Sequence, residues 1–243
     1  MRKLLQFVLY LTCSLSVSAK EHDLAVTQVS DNVFKHVSYA EIKPWGWVGA
    51  NGLIVVQGEG AYIIDTPWSL KDTKALVKWI EGNQLKLKGA VVSHFHEDAS
   101  GGLATLNELG ITTYASSMTN ELLHTQQKVT ATNEIATDVF QLVKGTIEIY
   151  YPGAGHSQDN IVVWLPHHQV LFGGCFVKSL SNKNLGNIAD ASIADWPHSI
   201  TKVMAKYPNI EIVVPGHGAP GSVELLKHTA HLASKVMQSK DIN

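Results

Sequence analysis

The stretch Val91-Val92-Ser93-His94-Phe95-His96-Glu97-Asp98-Ala99-Ser100-Gly101-Gly102 constrains this chain more than any other: an apolar strand runs straight into two histidines and an aspartate. Successive side chains of extended backbone alternate faces, so His94, His96 and Asp98, two residues apart, can all point at one centre. Imidazole nitrogens and carboxylate oxygens are what a borderline ion such as zinc accepts. Taken alone, the triplet also reads as three unrelated polar side chains at a strand end.

Three further donors shift that balance. His156 lies in Pro152-Gly153-Ala154-Gly155-His156, Cys175 in Phe172-Gly173-Gly174-Cys175-Phe176, and His217 in Val214-Pro215-Gly216-His217-Gly218. Each follows an apolar strand on glycine-rich backbone. Loops at strand ends are where a rigid sheet positions functional groups, and glycine lets the chain bend sharply enough to aim them.

The chain has 243 residues, enough for one large domain or two small ones. Met1-Arg2-Lys3, the apolar run 4–15 and Ser16-Val17-Ser18-Ala19 have the form of a secretory signal peptide, with cleavage expected after Ala19. The periplasm is the expected address. Cys13 sits in a poor context for lipid attachment, and no other segment approaches the ~20 apolar residues that spanning a bilayer takes, so no membrane anchor is expected. Losing the leader removes Arg2 and Lys3 and takes the formal charge from −2 to −4, which gives no sign of a nucleic-acid partner. It also leaves Cys175 as the only thiol, either inert and buried or a metal ligand.

Hydrophobic patterning places strands at 25–29, 33–39, 52–57 and 61–65, and a helix capped by Ser69 running to Gly82. A strand at 89–93 then delivers the His94 stretch, and a short helix to Gly110, a strand at 112–115 and a helix at 118–126 follow. The second half repeats the grammar: strands at 139–143, 146–151, 161–165 and 170–172, a helix at 193–206, a strand at 210–214 and a helix at 222–238. Strands in both halves with helices outside them predict two packed sheets, each covered by helices, with a site where strand ends meet. No Pro-, Ser- or charge-rich linker interrupts residues 20–243, which reads as one domain made of two similar halves. Lys43-Pro44-Trp45-Gly46-Trp47-Val48-Gly49 forms a hairpin tip with two indoles, which either folds back onto the body or waits for an apolar ligand.

The order His-x-His-x-Asp, Gly-His, Gly-Gly-Cys, Gly-His resembles that of the metallo-β-lactamase family, in its di-zinc subclass with a cysteine ligand. Ile64-Asp65-Thr66-Pro67-Trp68, Phe172-Gly173-Gly174-Cys175-Phe176 and Leu185-Gly186-Asn187 are similar to the imipenemase type. That resemblance implies an α/β fold, a four-layer αββα sandwich with two zinc ions in a cleft at one edge. His94, His96 and His156 would hold one ion; Asp98, Cys175 and His217 would hold the other. It implies a secreted zinc hydrolase that opens the lactam ring of penicillins, cephalosporins and carbapenems with a zinc-bound hydroxide, conferring antibiotic resistance.

Further roles follow from the same resemblance. Asp98 would orient the attacking hydroxide, Lys178 would pair with the substrate carboxylate, and Asn187 would hydrogen-bond the lactam oxygen. Asp65 would steer the ligands from behind, and Trp45 and Trp47 would form a flap over apolar substituents. Ala99 departs from relatives that carry histidine or arginine there, which argues against thioester or lactone hydrolysis. A zinc-buffering protein would not need Lys178 or Asn187. The other eight histidines, His228 and His231 included, read as solvent-facing or hydrogen-bonded. A small-molecule β-lactam is the expected partner, and a monomer the expected state.

Overall fold

A computed structural model describes residues 22–240. The leader and its expected cleavage point after Ala19 lie outside the described residues.

Strands β1 (Ala25–Ser30), β2 (Val33–Ile42), β3 (Gly46–Gln57) and β4 (Gly60–Ile64) pair antiparallel in chain order. Helix α1 (Leu70–Gly82) then carries the chain over one face, and pairing becomes parallel through β5 (Lys86–Val91), β6 (Thr113–Ser116) and β7 (Asn133–Ile135). These seven strands form one sheet, ordered as in sequence, and α2 (Glu97–Ser100), α3 (Leu103–Glu108) and α4 (Ser117–Thr125) fill its connections. The second sheet is the antiparallel run β8 (Val139–Val143), β9 (Ile147–Tyr150), β10 (Val162–Leu165) and β11 (Val170–Gly174), extended by β12 (Ile212–Pro215) parallel to β11. Helices α5 (Trp196–Lys206) and α6 (Glu224–Lys240) flank β12 in sequence.

The layering follows from strand periodicity. Within β3, Leu53 and Val55 face the second sheet while Ile54, between them, faces Leu76 and Ile80 of α1. Within β11, Val170 and Phe172 meet the first sheet, and Leu171 packs with Ile200 and Val203 of α5 and Leu225 and Leu226 of α6. Strands buried on both faces read as continuous apolar runs rather than as alternation. The order of layers is therefore helix, sheet, sheet, helix, as expected. At the start of α1, the Ser69 hydroxyl accepts from the Asp72 amide at 3.1 Å, a cap of about 1 kcal/mol.

Three local expectations are corrected. Strand β3 begins at Gly46 rather than Gly52, so Trp47 lies within a strand and Gly46, Gly49 and Gly52 pair with Ile42, Tyr39 and His36. Any side chain at Gly52 would collide with the buried His36 ring. Strand β7 escaped the sequence reading. Finally, His94, His96 and Asp98 do not share an extended segment: β5 ends at Val91, His96 caps α2, and Asp98 lies in its first turn. Their convergence comes from the bend between strand and helix, not from strand alternation.

Candidate metal centre

Each donor is aimed by backbone that something else holds. Asp65, buried and left-handed at φ 56°, accepts from the Ser93 amide at 2.5 Å and from the Ser93 hydroxyl at 2.7 Å. In that arrangement the one hydroxyl proton of Ser93 is spent on the carboxylate, so His94 Nδ1, 3.1 Å from Ser93 Oγ, is the donor of that pair. His94 Nε2 then carries a lone pair toward the cluster. Burial pushes Asp65 up to about 8 against the pull of the Ser93 hydrogen bonds, and drives His94 down to about 4. A cation on the neighbouring donors favours the ionised carboxylate.

His96, the α2 cap residue, has Nδ1 3.1 Å from His156 Nε2. The rings of His94, His96 and His156 meet edge to face, with centroids 4.8 to 5.1 Å apart. Across the cleft, Cys175 Sγ lies 3.0 Å from Asp98 Oδ2 and 3.3 Å from His217 Nε2, and that nitrogen is 3.0 Å from the same carboxylate oxygen. His217 Nδ1 donates to the Gly49 carbonyl at 2.8 Å, which leaves Nε2 facing Asp98 and Cys175. Burial favours the protonated form of Asp98, but the His217 hydrogen bond and the neighbouring His94 outweigh it and hold the carboxyl well below its usual range. Burial, then the Asp98 charge, pushes the Cys175 thiol well up, so an adjacent cation is what would make it a thiolate.

The loop bearing His217 is clamped from the other sheet. Asn51 of β3 donates through Nδ2 to the carbonyls of Pro215 and Gly218, each at 2.8 Å, and its amide donates to Gly216 O at 2.8 Å.

This donor set fits a metal. Among the described residues, buried His94 Nε2, His156 Nδ1 and Asp98 Oδ1 have no hydrogen-bond partner, a costly state for polar atoms in a close-packed interior. Donor atoms of His94, His96 and Asp98, of His94, His156 and Cys175, and of Asp98, Cys175 and His217 lie within 4.8 Å of one another in each trio. The six expected donors thus form one overlapping cluster of three imidazoles, a carboxylate, a thiol and a fourth imidazole.

The cluster lies in a cleft of about 580 Å³ whose walls include Trp45, Trp68, Lys128, Lys178 and Asn187. Lys178 is buried, with Nζ 5.4 Å from the centre of the Trp196 ring, and burial lowers its pKa. Asn187 Oδ1 accepts from the Ala189 amide at 3.1 Å, which fixes the orientation of the side-chain amide and, among the described residues, leaves its NH2 available as a donor. The two indoles of the β2–β3 hairpin part company: Trp45 lines the cleft, whereas Trp47 packs against His22, ring centroids 5.0 Å apart, and His22 in turn stacks on Tyr39. The sequence reading missed Ser93, Asn51 and Asp190; the last has Oδ2 2.9 Å from His96 Nε2. Ser93 had a signal, its place beside His94. Asn51 and Asp190 had none, being ordinary polar residues in sequence.

Four imidazoles, a thiol and a carboxylate gathered beside a cleft of an αββα sandwich make a candidate metal centre. Residues 45–217 match the model of the metallo-beta-lactamase superfamily, and the chain belongs to that family. It is 42% identical over 236 residues to a metallo-beta-lactamase type 2 of Pseudomonas aeruginosa, covering 97% of this chain and 95% of that one. Among solved structures it is similar to VMB-1, with 53% identity, a TM-score of 0.88 and coverage of 88% and 98% of the two chains. DIM-1 metallo-beta-lactamase matches at 43% identity and a TM-score of 0.88, over 89% of this chain and 99% of that one. Cys175 fits the subclass that carries a cysteine ligand. The narrower likeness to the imipenemase type is not addressed by these relatives. No helix of the described residues is long and apolar enough to cross a membrane.

Proposed function

We propose that this chain is an exported, monomeric, single-domain β-lactamase that holds two zinc ions and works in the periplasm, hydrolysing penicillins, cephalosporins and carbapenems. The observation that carries the reading is the six-donor cluster bordering the cleft that Lys178 and Asn187 line. A zinc-storage protein has no use for the last two.

His94, His96 and His156 would hold one ion and Asp98, Cys175 and His217 the other. Bound zinc supplies Lewis acidity, lowering the pKa of water from about 15.7 to about 7 and polarising a carbonyl oxygen. The protein's own groups do the rest. Asp65, through Ser93, keeps the proton of His94 on Nδ1 and its Nε2 free. Asp98 Oδ1, buried without a hydrogen-bond partner among the described residues, accepts from the attacking water and orients it. Lys178 pairs with the substrate carboxylate, and the Asn187 NH2 donates to the lactam oxygen as negative charge grows there. Trp45 covers apolar substituents and excludes water. Trp47, packed on His22, braces the hairpin from outside.

The test is hydrolysis of a chromogenic cephalosporin by the mature chain before and after chelation, with thioester and lactone substrates run alongside. Chelator-sensitive lactam opening supports the reading. Turnover of thioesters or lactones alone would replace it.

A further inference from the structure

His96 is the least buried of the three clustered imidazoles, and its outer nitrogen is engaged by a residue outside the donor set. Asp190 Oδ2 lies 2.9 Å from His96 Nε2, across 94 positions of sequence. An ionised carboxylate only accepts, so this contact puts the imidazole proton on Nε2 and leaves Nδ1, which faces His156, with its lone pair. Asp190 also belongs to the segment that carries Asn187. Leu185 and Ile193 at either end of that segment are buried in the core around α5 and α6. Between them, few bonds reach the rest of the protein: Ser192 N donates to Gly155 O at 2.8 Å, beside His156, and Asp190 meets His96. At the two ends of this stretch Gly186 N donates to Asn184 Oδ1, Ser192 Oγ donates to Asp195 Oδ2 and Ser192 O accepts from Trp196 N, while the bonds in the middle, Ala189 N to Asn187 Oδ1 and Ala191 N to Ile188 O, stay inside the segment.

We propose that Asp190 is a positioning residue that couples metal loading to the order of the Asn187 segment. It acts through His96, holding the ring with Nδ1 presented to the metal, and the same contact fastens residues 186–191 over the cleft. The proposal rests on the metal-site reading above. Linkage makes the coupling reciprocal: if zinc on His96 favours the docked segment by some factor, docking favours zinc by the same factor. Carboxylates that orient ligating histidines this way are typically worth ~10- to 100-fold in metal affinity.

Asp190 is half-exposed, so its replacement leaves the core intact. The test compares the metal-free full chain with Asp190→Ala, Asp190→Asn and Asp190→Glu. Zinc affinity is read by competition with a chromophoric chelator, and amide hydrogen exchange of residues 186–191 is read with and without zinc. Asp190→Ala should bind the ion held by His94, His96 and His156 about 10- to 100-fold less tightly and lose the zinc-dependent protection of 186–191, while protection around Cys175 and His217 persists. Asp190→Asn keeps an acceptor oxygen and should recover part of both effects, as should Asp190→Glu, whereas a merely structural role would show no such graded rescue. Wild-type affinity together with wild-type protection in Asp190→Ala would overturn the coupling while leaving the metal site standing. If the unaltered chain binds no zinc, the coupling and the site reading fall together.

Discussion

Gly216 approaches Cys175 so closely that a Cβ added at Gly216 would stand 2.5 Å from Sγ and 2.6 Å from the Cys175 amide nitrogen. The glycine before His217 therefore leaves room for the thiol that follows the neighbouring strand β11. Real Cβ atoms do not tolerate such contacts, and the close partners here include backbone that cannot rotate aside. Gly216→Ala should displace the thiol and His217 together, lowering activity at least 100-fold and weakening one metal site more than the other. Cobalt-substituted protein reports this directly, because the thiolate-to-metal absorption should vanish. An unchanged absorption in the alanine variant would mean that the loop relaxes freely.

Lys178 is buried against Trp196 rather than waving in solvent. Its removal should therefore act on substrate binding with little loss of disorder to offset it. We expect Lys178→Ala to raise KM for carboxylated lactams about tenfold, ~1.4 kcal/mol, with a smaller change in kcat. Steady-state kinetics on two lactam classes checks this; an unchanged KM for both removes Lys178 from the binding role.

The two hairpin indoles should separate in function as they do in space. Trp45→Ala should weaken substrates with bulky apolar groups several-fold more than small ones, because that ring lines the cleft. Trp47→Ala should affect substrates evenly and act mainly on the hairpin's stability, through the lost packing on His22. Equal, substrate-dependent losses in both variants would refute the division.

His36 supplies a pH prediction away from the metal donors. Its Nε2 donates to the Asp65 carbonyl at 3.0 Å, and burial drives its pKa from 6.5 to about 4, with the Asp65 hydrogen bond opposing and Lys35 assisting. The folded state therefore holds His36 neutral. Above pH 6.5 it is neutral folded or unfolded and costs nothing; as pH falls from 6.5 to about 4, the unfolded chain takes up a proton that the folded one refuses. Stability lost this way totals roughly 3 kcal/mol, at ~1.4 kcal/mol per pH unit. Gln in place of His36 can still donate to the Asp65 carbonyl and does not titrate. Denaturant melts of both proteins across this range should show the unaltered chain losing about 3 kcal/mol relative to His36→Gln, and parallel curves would contradict the assignment.

The donors were legible because each sits just beyond an apolar run on glycine-rich backbone, a pattern strong enough to survive a wrong local geometry. His94, His96 and Asp98 were grouped by strand alternation, yet they meet because α2 begins at Glu97. Strand β3 was cut short because Gly46, Gly49 and Gly52 interrupt its apolar pattern, although two of them are there to let Tyr39 and His36 pack. Strand β7 has three residues, too few to show a period. What holds the donors was hidden for a different reason. Asn51 and Asp190 act on residues 164 and 94 positions away, and such pairings exist only once both sheets and the cleft segment are in place.

The most direct measurement is a zinc titration of the metal-free mature chain, with carbapenem hydrolysis and bound metal followed together. The account predicts no turnover without zinc, activity that rises as the site fills, and a plateau at two ions per chain. Full zinc binding with no lactam opening at any occupancy would contradict it.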